Sequence, residues 1–166
     1  MKNPDLTVRH CVYSNTDDLN AIGMLINAYI EDAMGGGEPL SRQQQSRLAE
    51  ALAQHPKSIV LLACIGDIRC GMLVAFENYS TFTVSPMINI HDVIVLKEYR
   101  GKGAGKKLLE AVINIARGRR CSRITLEVRA DNPIARRLYK NAGFKAPVPE
   151  MHYWRNNLQE QSRSES

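Results

Sequence analysis

A short glycine-rich loop holds the residues of this chain that are best suited to chemistry. Its sequence is Arg100-Gly101-Lys102-Gly103-Ala104-Gly105-Lys106-Lys107, which places three glycines among four cations. Because glycine has no Cβ, the backbone can approach an anion closely there. The apolar run at 93–95 predicts a strand before the loop, and the spacing after it predicts an amphipathic helix. The loop therefore opens a helix, whose free N–H groups and positive dipole end favour a pyrophosphate.

Positive charge is concentrated around this loop. The chain carries 22 Lys and Arg against 17 Asp and Glu, for a net charge of +5. Residues 97–123 alone hold nine basic and two acidic residues, so this segment is +7 and the remainder is −2. Nucleic-acid-binding proteins usually show a broad basic face with exposed aromatic residues, so the pattern fits a small polyphosphate ligand better. A solvated helix end also explains the last four cations, Arg117, Arg119, Arg120 and Arg123.

Two common phosphate-binding motifs do not fit the loop. A P-loop requires Ser or Thr after its lysine, for magnesium, whereas Lys107 follows Lys106 here. A dinucleotide-binding fingerprint lies early in its domain and is followed by an acidic residue at the end of the next strand. Neither requirement is met.

Two ionisable residues interrupt the apolar strand before the loop. They are His91 and Asp92, in the sequence Asn89-Ile90-His91-Asp92. Successive side chains of a strand point to opposite faces, so only one of the pair reaches a common site unless a β-bulge intervenes. A structural role for the pair is as good an interpretation as a catalytic one.

The remaining pattern predicts a mixed α/β (α+β) fold with the order β-α-α-β-β-β-α-β-α-β. A hairpin at Gly66-Asp67, a capping box at Ser41 to Gln44 and a helix start at Asn132-Pro133 carry this prediction. We expect one domain over residues 1–157 and a flexible tail over 158–166. The expected strands are 6–13, 58–65, 68–76, 87–95, 122–129 and 151–155, and the expected helices are 17–33, 41–54, 103–117 and 133–141.

The loop and a second segment together resemble one family. Arg-x-x-Gly-x-Gly at residues 100–105 closely resembles the acyl-CoA-binding motif of the GNAT N-acetyltransferase superfamily. Residues 126–144 resemble the later motif of that family, with Asn132, Tyr139 and the terminal Gly143-Phe144 at the expected spacing. The resemblance covers residues 87–144 with high specificity and 8–154 more loosely. It implies a mostly antiparallel central sheet flanked by helices.

The resemblance also implies acetyl-CoA as co-substrate and a role for each matching residue. Backbone groups of β-strand residues 93–95 pair with the pantetheine arm, and an amide near Val95 stabilises the oxyanion. Amides from Gly101 to Lys106 hold the pyrophosphate, and Asn132 contacts the pantetheine or positions its helix. Tyr139 protonates the departing thiolate, since a phenol with a pKa of about 10 is a donor at pH 7. The implied CoA-binding set is Val93, Ile94, Val95, Arg100, Gly101, Lys102, Gly103, Ala104, Gly105, Lys106, Asn132 and Ala135.

The acceptor is an amine, whose proton some group must remove. Spermidine/spermine acetyltransferases carry two acidic residues at the positions of His91 and Asp92, and this chain departs from them with His at the first. We expect His91 to act as a water-mediated base, or Asp92 to receive a cationic amine. Acidic residues of the early helices and the next connection (Glu31, Asp32, Glu38 and Glu77) also suit a cationic acceptor, with Tyr79 and Phe82 as further candidates.

A small-molecule primary amine is the first expectation for the acceptor. A protein N-terminus or lysine is the alternative, and a non-catalytic acyl-CoA-binding module is a third. We expect no metal, nucleic acid or membrane partner: no apolar run is long enough to span a bilayer, and Cys11, Cys64, Cys70 and Cys121 lack metal-ligand spacing. Buried free thiols and the lack of a signal-like apolar core at the N-terminus favour a cytoplasmic protein. A homodimer through the C-terminal strands is implied by the resemblance.

Overall fold

One five-stranded sheet organises the molecule. The computed structural model describes residues 5–158, and its strands lie in the order β1-β2-β3-β4-β5. The pairings β1–β2, β2–β3 and β3–β4 are antiparallel, whereas β4 and β5 are parallel. This confirms the predicted mixed, mostly antiparallel sheet. The strands are β1 (Leu6–His10), β2 (Ser58–Ile65), β3 (Ile68–Ser80), β4 (Ser85–Val95) and β5 (Ile124–Leu126).

The helices begin where capping residues allow them to begin. The Asn15 side chain accepts the amides of Asp17 and Asp18, and Ser41 forms the predicted capping box with Gln44. Asn132 Oδ1 accepts the Ala135 amide at 3.0 Å, with Pro133 in the first turn. The helices are α1 (Thr16–Ile30), α2 (Arg42–Gln54), α3 (Ala104–Gly118) and α4 (Pro133–Asn141), with a short 3₁₀ turn at Lys97–Tyr99.

The helices cover both faces of the sheet. On one face, α1 and α2 bury Ile22, Leu25 and Leu52 against the sheet. On the other, α3 buries Leu108 and Val112, and α4 packs beside it through half-buried side chains. The strands between these layers are apolar on both faces, which explains the continuous apolar runs of β2 and β3.

A buried carboxylate joins α1 to the sheet. Asp18 is fully buried, and it accepts hydrogen bonds from Arg9 Nη2 at 2.8 Å, Arg69 Nε at 3.0 Å and the Val12 amide at 2.9 Å. Its pKa is held well below its usual range, chiefly by the Arg9 guanidinium. These bonds fix the start of α1 against β1 and β3.

Strand β4 separates from β5 after a short pairing. Only Ile88, Asn89 and Ile90 of β4 pair with β5, whereas β4 continues to Val95 beside β3. Val74 pairs with Asp92 and Ala75 with Ile90, so the intervening His91 is the extra residue of a β-bulge. Past this bulge, the β5-facing edge of β4 has no strand partner among residues 5–158. A cleft opens there.

The sequence-based prediction was wrong in the extent of several strands and in the presence of the last one. β1 stops at His10 rather than Tyr13, and β5 covers three residues of the eight expected. The strand expected at 151–155 does not form, because this segment is exposed and pairs with no strand of the described chain. The expected tail lies outside the described residues, apart from Leu158.

Two further observations concern expected partners. No helix of residues 5–158 is long and apolar enough to cross a membrane. The described part of the chain contains no cluster of three or more potential metal ligands. All four cysteines are free thiols; Cys11, Cys64 and Cys70 are buried, and Cys121 is half-buried.

Candidate active site

The cleft between β4 and β5 holds a cavity of about 380 Å³. After the roles expected for them, the wall formed by β4, the glycine loop and α4 is named the cofactor wall, and the wall formed by the end of α1 and the residues after it is named the acceptor wall. Most of the predicted CoA-binding residues line the cofactor wall: Val93, Ile94, Val95, Arg100, Gly101, Gly103, Ala104, Gly105, Lys106, Asn132 and Ala135. Ile134, Leu138 and Tyr139 complete the α4 side, and Tyr99 lies beside the loop.

The glycine loop presents free backbone to this cavity. Gly101 and Gly103 have φ values of 75° and 88°, in the left-handed region that L side chains rarely adopt. Gly103 is the N-cap of α3, and no side chain caps the amides of the first turn. A Cβ at Gly101 or Gly103 would meet no atom within 4 Å, so the space above the loop is open. This arrangement fits a pyrophosphate bound by backbone amides.

The cations around the loop are placed unequally. Lys106 lines the cavity, whereas Lys102 does not and instead lies 5.0 Å above the Tyr99 ring. Lys107 points away, donating to the Leu6 carbonyl at 2.8 Å. The structure thus brings Lys106 to the site and leaves Lys102 at its border.

Tyr139 lines the cofactor wall. Its helix ends at Asn141, and after Gly143, which has a positive φ, the Phe144 amide returns to the Tyr139 carbonyl at 3.0 Å and places the Phe144 ring 6.0 Å from the Tyr139 ring. Burial, with smaller contributions from the neighbouring Tyr29 and Asp92, raises the pKa of Tyr139 to about 12. The phenol is therefore a proton donor throughout the neutral range.

The bulge separates the two ionisable residues of β4. His91 is exposed, and its ring packs edge-on against Phe76 at 5.0 Å. Asp92 is half-buried, and desolvation raises its pKa, with a smaller opposing effect from His91. Asp92 directly precedes the cavity-lining Val93, and its charge makes a small contribution to the raised pKa of Tyr139. Neither His91 nor Asp92 lines the cavity itself.

The acceptor wall contains residues that the sequence did not indicate. Tyr29, Asp32 and Met34 line the cavity from the end of α1 and the following loop. Asp32 was one of four acidic candidates, but Tyr29 and Met34 had no distinguishing signal. Tyr29 closes an ordinary amphipathic helix, and the sequence does not show that this helix end faces the splayed strands.

Other candidates lie elsewhere. Glu77 binds Lys57 and Arg119, its Oε2 accepting from Arg119 Nη1 at 2.8 Å. Glu31 and Glu38 do not line the cavity, and neither do Tyr79 and Phe82, which are exposed near the β3–β4 turn. These residues were candidates for the acceptor site only because of their acidic or aromatic side chains.

A second, larger cavity is separate from this chemistry. It measures about 610 Å³ and lies between α1 and α2, where Thr16 and Tyr13 line it. Thr16 and Tyr29 lie at opposite ends of α1, a distance of about 20 Å at 1.5 Å per residue. This cavity contacts neither the glycine loop nor Tyr139.

Comparison with known proteins agrees with this geometry. The sequence model of the acetyltransferase (GNAT) family matches residues 24–144, most of the chain. The chain therefore belongs to the GNAT family of acetyltransferases. It is an acyltransferase enzyme.

Several individual proteins are similar to it. The uncharacterized N-acetyltransferase YhfO of Bacillus subtilis is 27% identical over 145 residues, covering 86% of this chain and 94% of that protein. The N-alpha-acetyltransferase RimI of Mycobacterium tuberculosis is 33% identical over 93 residues, which cover 55% of this chain and 57% of RimI. The mouse thialysine N-epsilon-acetyltransferase is 33% identical over 118 residues, or 64% and 69% of the two chains.

A solved structure supports the fold. The crystal structure of a probable acetyltransferase superposes with a TM-score of 0.77 and 19% identity, covering 92% of this chain and 97% of that one. At this level of identity, the likeness concerns the fold alone.

Proposed function

We propose that this protein transfers the acetyl group of acetyl-CoA to a primary amine of a small molecule by direct attack. The observation that carries the proposal is the single cleft that joins a glycine-rich anion site to Tyr139, a phenol kept protonated by burial. Holding both reactants in one cleft makes the attack effectively intramolecular.

The cofactor wall suits acetyl-CoA along its length. The β5-facing edge of β4 at 93–95 has backbone groups that an extended pantetheine arm would pair with, as another strand would. The first turn of α3, with the open loop before it, would hold the pyrophosphate. Asn132 both caps α4 and lines the cavity, so it would contact the arm and position Tyr139.

Proton movement follows from the same side chains. As the amine nitrogen bonds to the acetyl carbon, the carbon–sulfur bond breaks, and Tyr139 would donate its proton to the departing sulfur. An amide of β4 near Val95 would stabilise the negative charge that develops on the acetyl carbonyl oxygen during this attack. Asp92 would bind the cationic amine. The proton of that amine would be transferred to Asp92, or through a water molecule to His91.

Two features support a small amine as acceptor. Asp92, next in the chain to the cavity-lining Val93, supplies a carboxylate that suits a cationic amine. The similar mouse enzyme is named for acetylating the side-chain amine of thialysine. A peptide N-terminus is the second candidate, because the chain is also similar to an N-alpha-acetyltransferase, at 33% identity over 93 residues.

An acceptor panel tests the proposal. Thiol release from acetyl-CoA would be measured with polyamines, amino acids, aminoglycosides and peptides, and mass spectrometry would identify the acetylated product. We expect acetyl-CoA-dependent release with a small primary amine. Thiol release with peptides alone would replace this proposal by the peptide one. If none of the acceptors supported thiol release, both proposals would be refuted.

We also propose a homodimer formed through the C-terminal segment. Met151, Tyr153 and Trp154 are large apolar residues with exposures of 74%, 68% and 88%, and the outer edge of β5 is unpaired within residues 5–158. Exposed apolar side chains and an open strand edge each favour pairing with another chain. Light scattering should give a dimer for the native protein and a monomer for Trp154→Lys. Phe82→Lys, at an equally exposed position away from this segment, should stay dimeric.

A cytoplasmic location completes the proposal. The four free thiols suit a reducing compartment, and acetyl-CoA is required as co-substrate. Cell fractionation with an antibody against the chain would check it.

A further inference from the structure

One guanidinium connects the two walls of the cleft. Arg100, which belongs to the glycine loop, donates from Nη2 to Asp32 Oδ2 at 2.8 Å and from Nε to the Val95 carbonyl at 3.0 Å. Val95 ends β4 on the cofactor wall, and Asp32 lies in the loop after α1 on the acceptor wall. The side chain of Arg100 therefore spans from one wall to the other.

Asp32 also organises the loop in which it lies. Its Oδ1 accepts the Met34 amide at 3.0 Å, and its backbone carbonyl accepts the Gly35 amide at 2.9 Å. Its own amide donates to the Tyr29 carbonyl at 3.1 Å. Only 19% of the Asp32 side chain is exposed, and both of its oxygens are engaged. The Met34 amide and Arg100 lower its pKa, so the carboxylate is charged at neutral pH.

We propose that Asp32 is a positioning residue, which fixes Tyr29 and Met34 for the acceptor by attaching their segment to Arg100. This inference rests on the proposed function, since it assigns these residues to the amine rather than to CoA. Asp32 needs no contact with the reacting atoms for this role. It acts through the segment that lines the cavity.

The two oxygens of Asp32 allow its two roles to be separated. In Asp32→Asn, the amide oxygen still accepts the Met34 amide, so the local turn is retained, but the ion pair with Arg100 is lost. Asp32→Ala loses both interactions. The Arg100 side chain is about half exposed and that of Asp32 is only 19% exposed, so this charged hydrogen bond contributes somewhat more than a pair of two fully exposed side chains, and its loss should change acceptor binding measurably.

The experiment compares Asp32→Asn and Asp32→Ala with the native protein, using the best acceptor of the panel. We expect the acceptor KM to rise about fivefold in Asp32→Asn and more in Asp32→Ala, as one or two such bonds are lost. The Kd of CoA, measured by calorimetry, should stay within twofold. Asp67→Asn, in the β2–β3 turn, is the matched control and should change neither quantity.

A readout without turnover separates this inference from the proposed function. Amide hydrogen exchange at 31–40 should be faster in both Asp32 variants and unchanged in Asp67→Asn. Unchanged exchange, an acceptor KM within twofold of native, or a CoA Kd weakened as much as the acceptor KM would each overturn the role of Asp32. If the native protein acetylates no amine while exchange responds as expected, the proposed function fails and Asp32 still fixes the loop.

Discussion

The two walls of the cleft are built in different ways. The cofactor wall is largely one continuous segment, residues 93–106, and it offers mainly backbone: a strand edge, a loop with two left-handed glycines and the first turn of α3. The acceptor wall offers side chains, Tyr29, Asp32 and Met34, which tertiary packing brings to the cleft. A wall of backbone suits one invariant ligand, whereas a wall of side chains can be changed to suit different acceptors.

Removing the phenol of Tyr139 from the cofactor wall should have the largest effect. In Tyr139→Phe the ring and its packing against Phe144 remain, but the proton donor is lost. We expect kcat to fall about 1,000-fold, within the range for a lost general acid or base. The Kd of CoA should not change. Tyr79→Phe, at an exposed tyrosine outside the cleft, should keep native kcat. A Tyr139→Phe enzyme with native kcat would remove Tyr139 from the chemistry.

Asp92 should control the pH dependence of kcat/KM. Burial raises its pKa, and only its charged form can receive a cationic amine, so kcat/KM should rise as pH increases through that raised pKa. Asp92→Asn should lower kcat/KM about 100-fold at pH 7 and abolish this limb of the profile. An unchanged limb in Asp92→Asn would assign the titration to another group, with His91→Asn as the next variant to measure.

The same raised pKa predicts that the Asp92→Asn variant is more stable than the native protein at neutral pH. A carboxyl whose pKa is raised on folding is more easily protonated in the folded state, so the fold loses stability as pH rises through that range. Asp92→Asn should therefore raise the free energy of unfolding at pH 7 and have little effect at pH 3, where the native carboxyl is neutral. Denaturant unfolding at the two pH values measures this difference. Equal effects at both would show that ionisation is not the cause.

A backbone change should weaken the cofactor wall alone. Gly103 has φ +88°, where an alanine is strained by about 1–2 kcal/mol. Gly103→Ala should therefore raise the Kd of CoA about tenfold. Gly118→Ala is the matched control: it lies at the end of the same helix, has no positive φ and leaves room for a Cβ. Native CoA affinity in Gly103→Ala would show that the loop geometry is not required.

A change outside both walls should alter stability without altering activity. Val84, in the β3–β4 turn, has φ 49°, which is unfavourable for a β-branched residue. Asn tolerates this conformation, so Val84→Asn should stabilise the protein by about 1 kcal/mol, with native kcat and KM. Thermal unfolding measures the gain, and a lower Tm would contradict the strain.

The contrast between the walls also explains what the sequence could predict. The glycine loop, the capping box at Ser41 and the helix start at Asn132 were predictable, because each depends on residues within a few positions of one another. The β-bulge at His91 was not, since it depends on the register between β3 and β4. It separates His91, against Phe76, from the half-buried Asp92.

Long-range placement explains the remaining differences. Tyr29 and Met34 reach the cleft only because α1 packs across the sheet, and no local pattern records that. The strand expected at 151–155 has suitable residues but lacks a neighbouring strand within residues 5–158. Residue type indicated strand formation, but strand formation also requires a partner.

The central claim is that both walls are occupied together and that the amine attacks the acetyl group directly. Initial velocities measured over a matrix of acetyl-CoA and acceptor concentrations test it most directly. Direct attack within a ternary complex predicts double-reciprocal lines that intersect. Parallel lines, which indicate a ping-pong mechanism with an acetylated enzyme intermediate, would contradict the account.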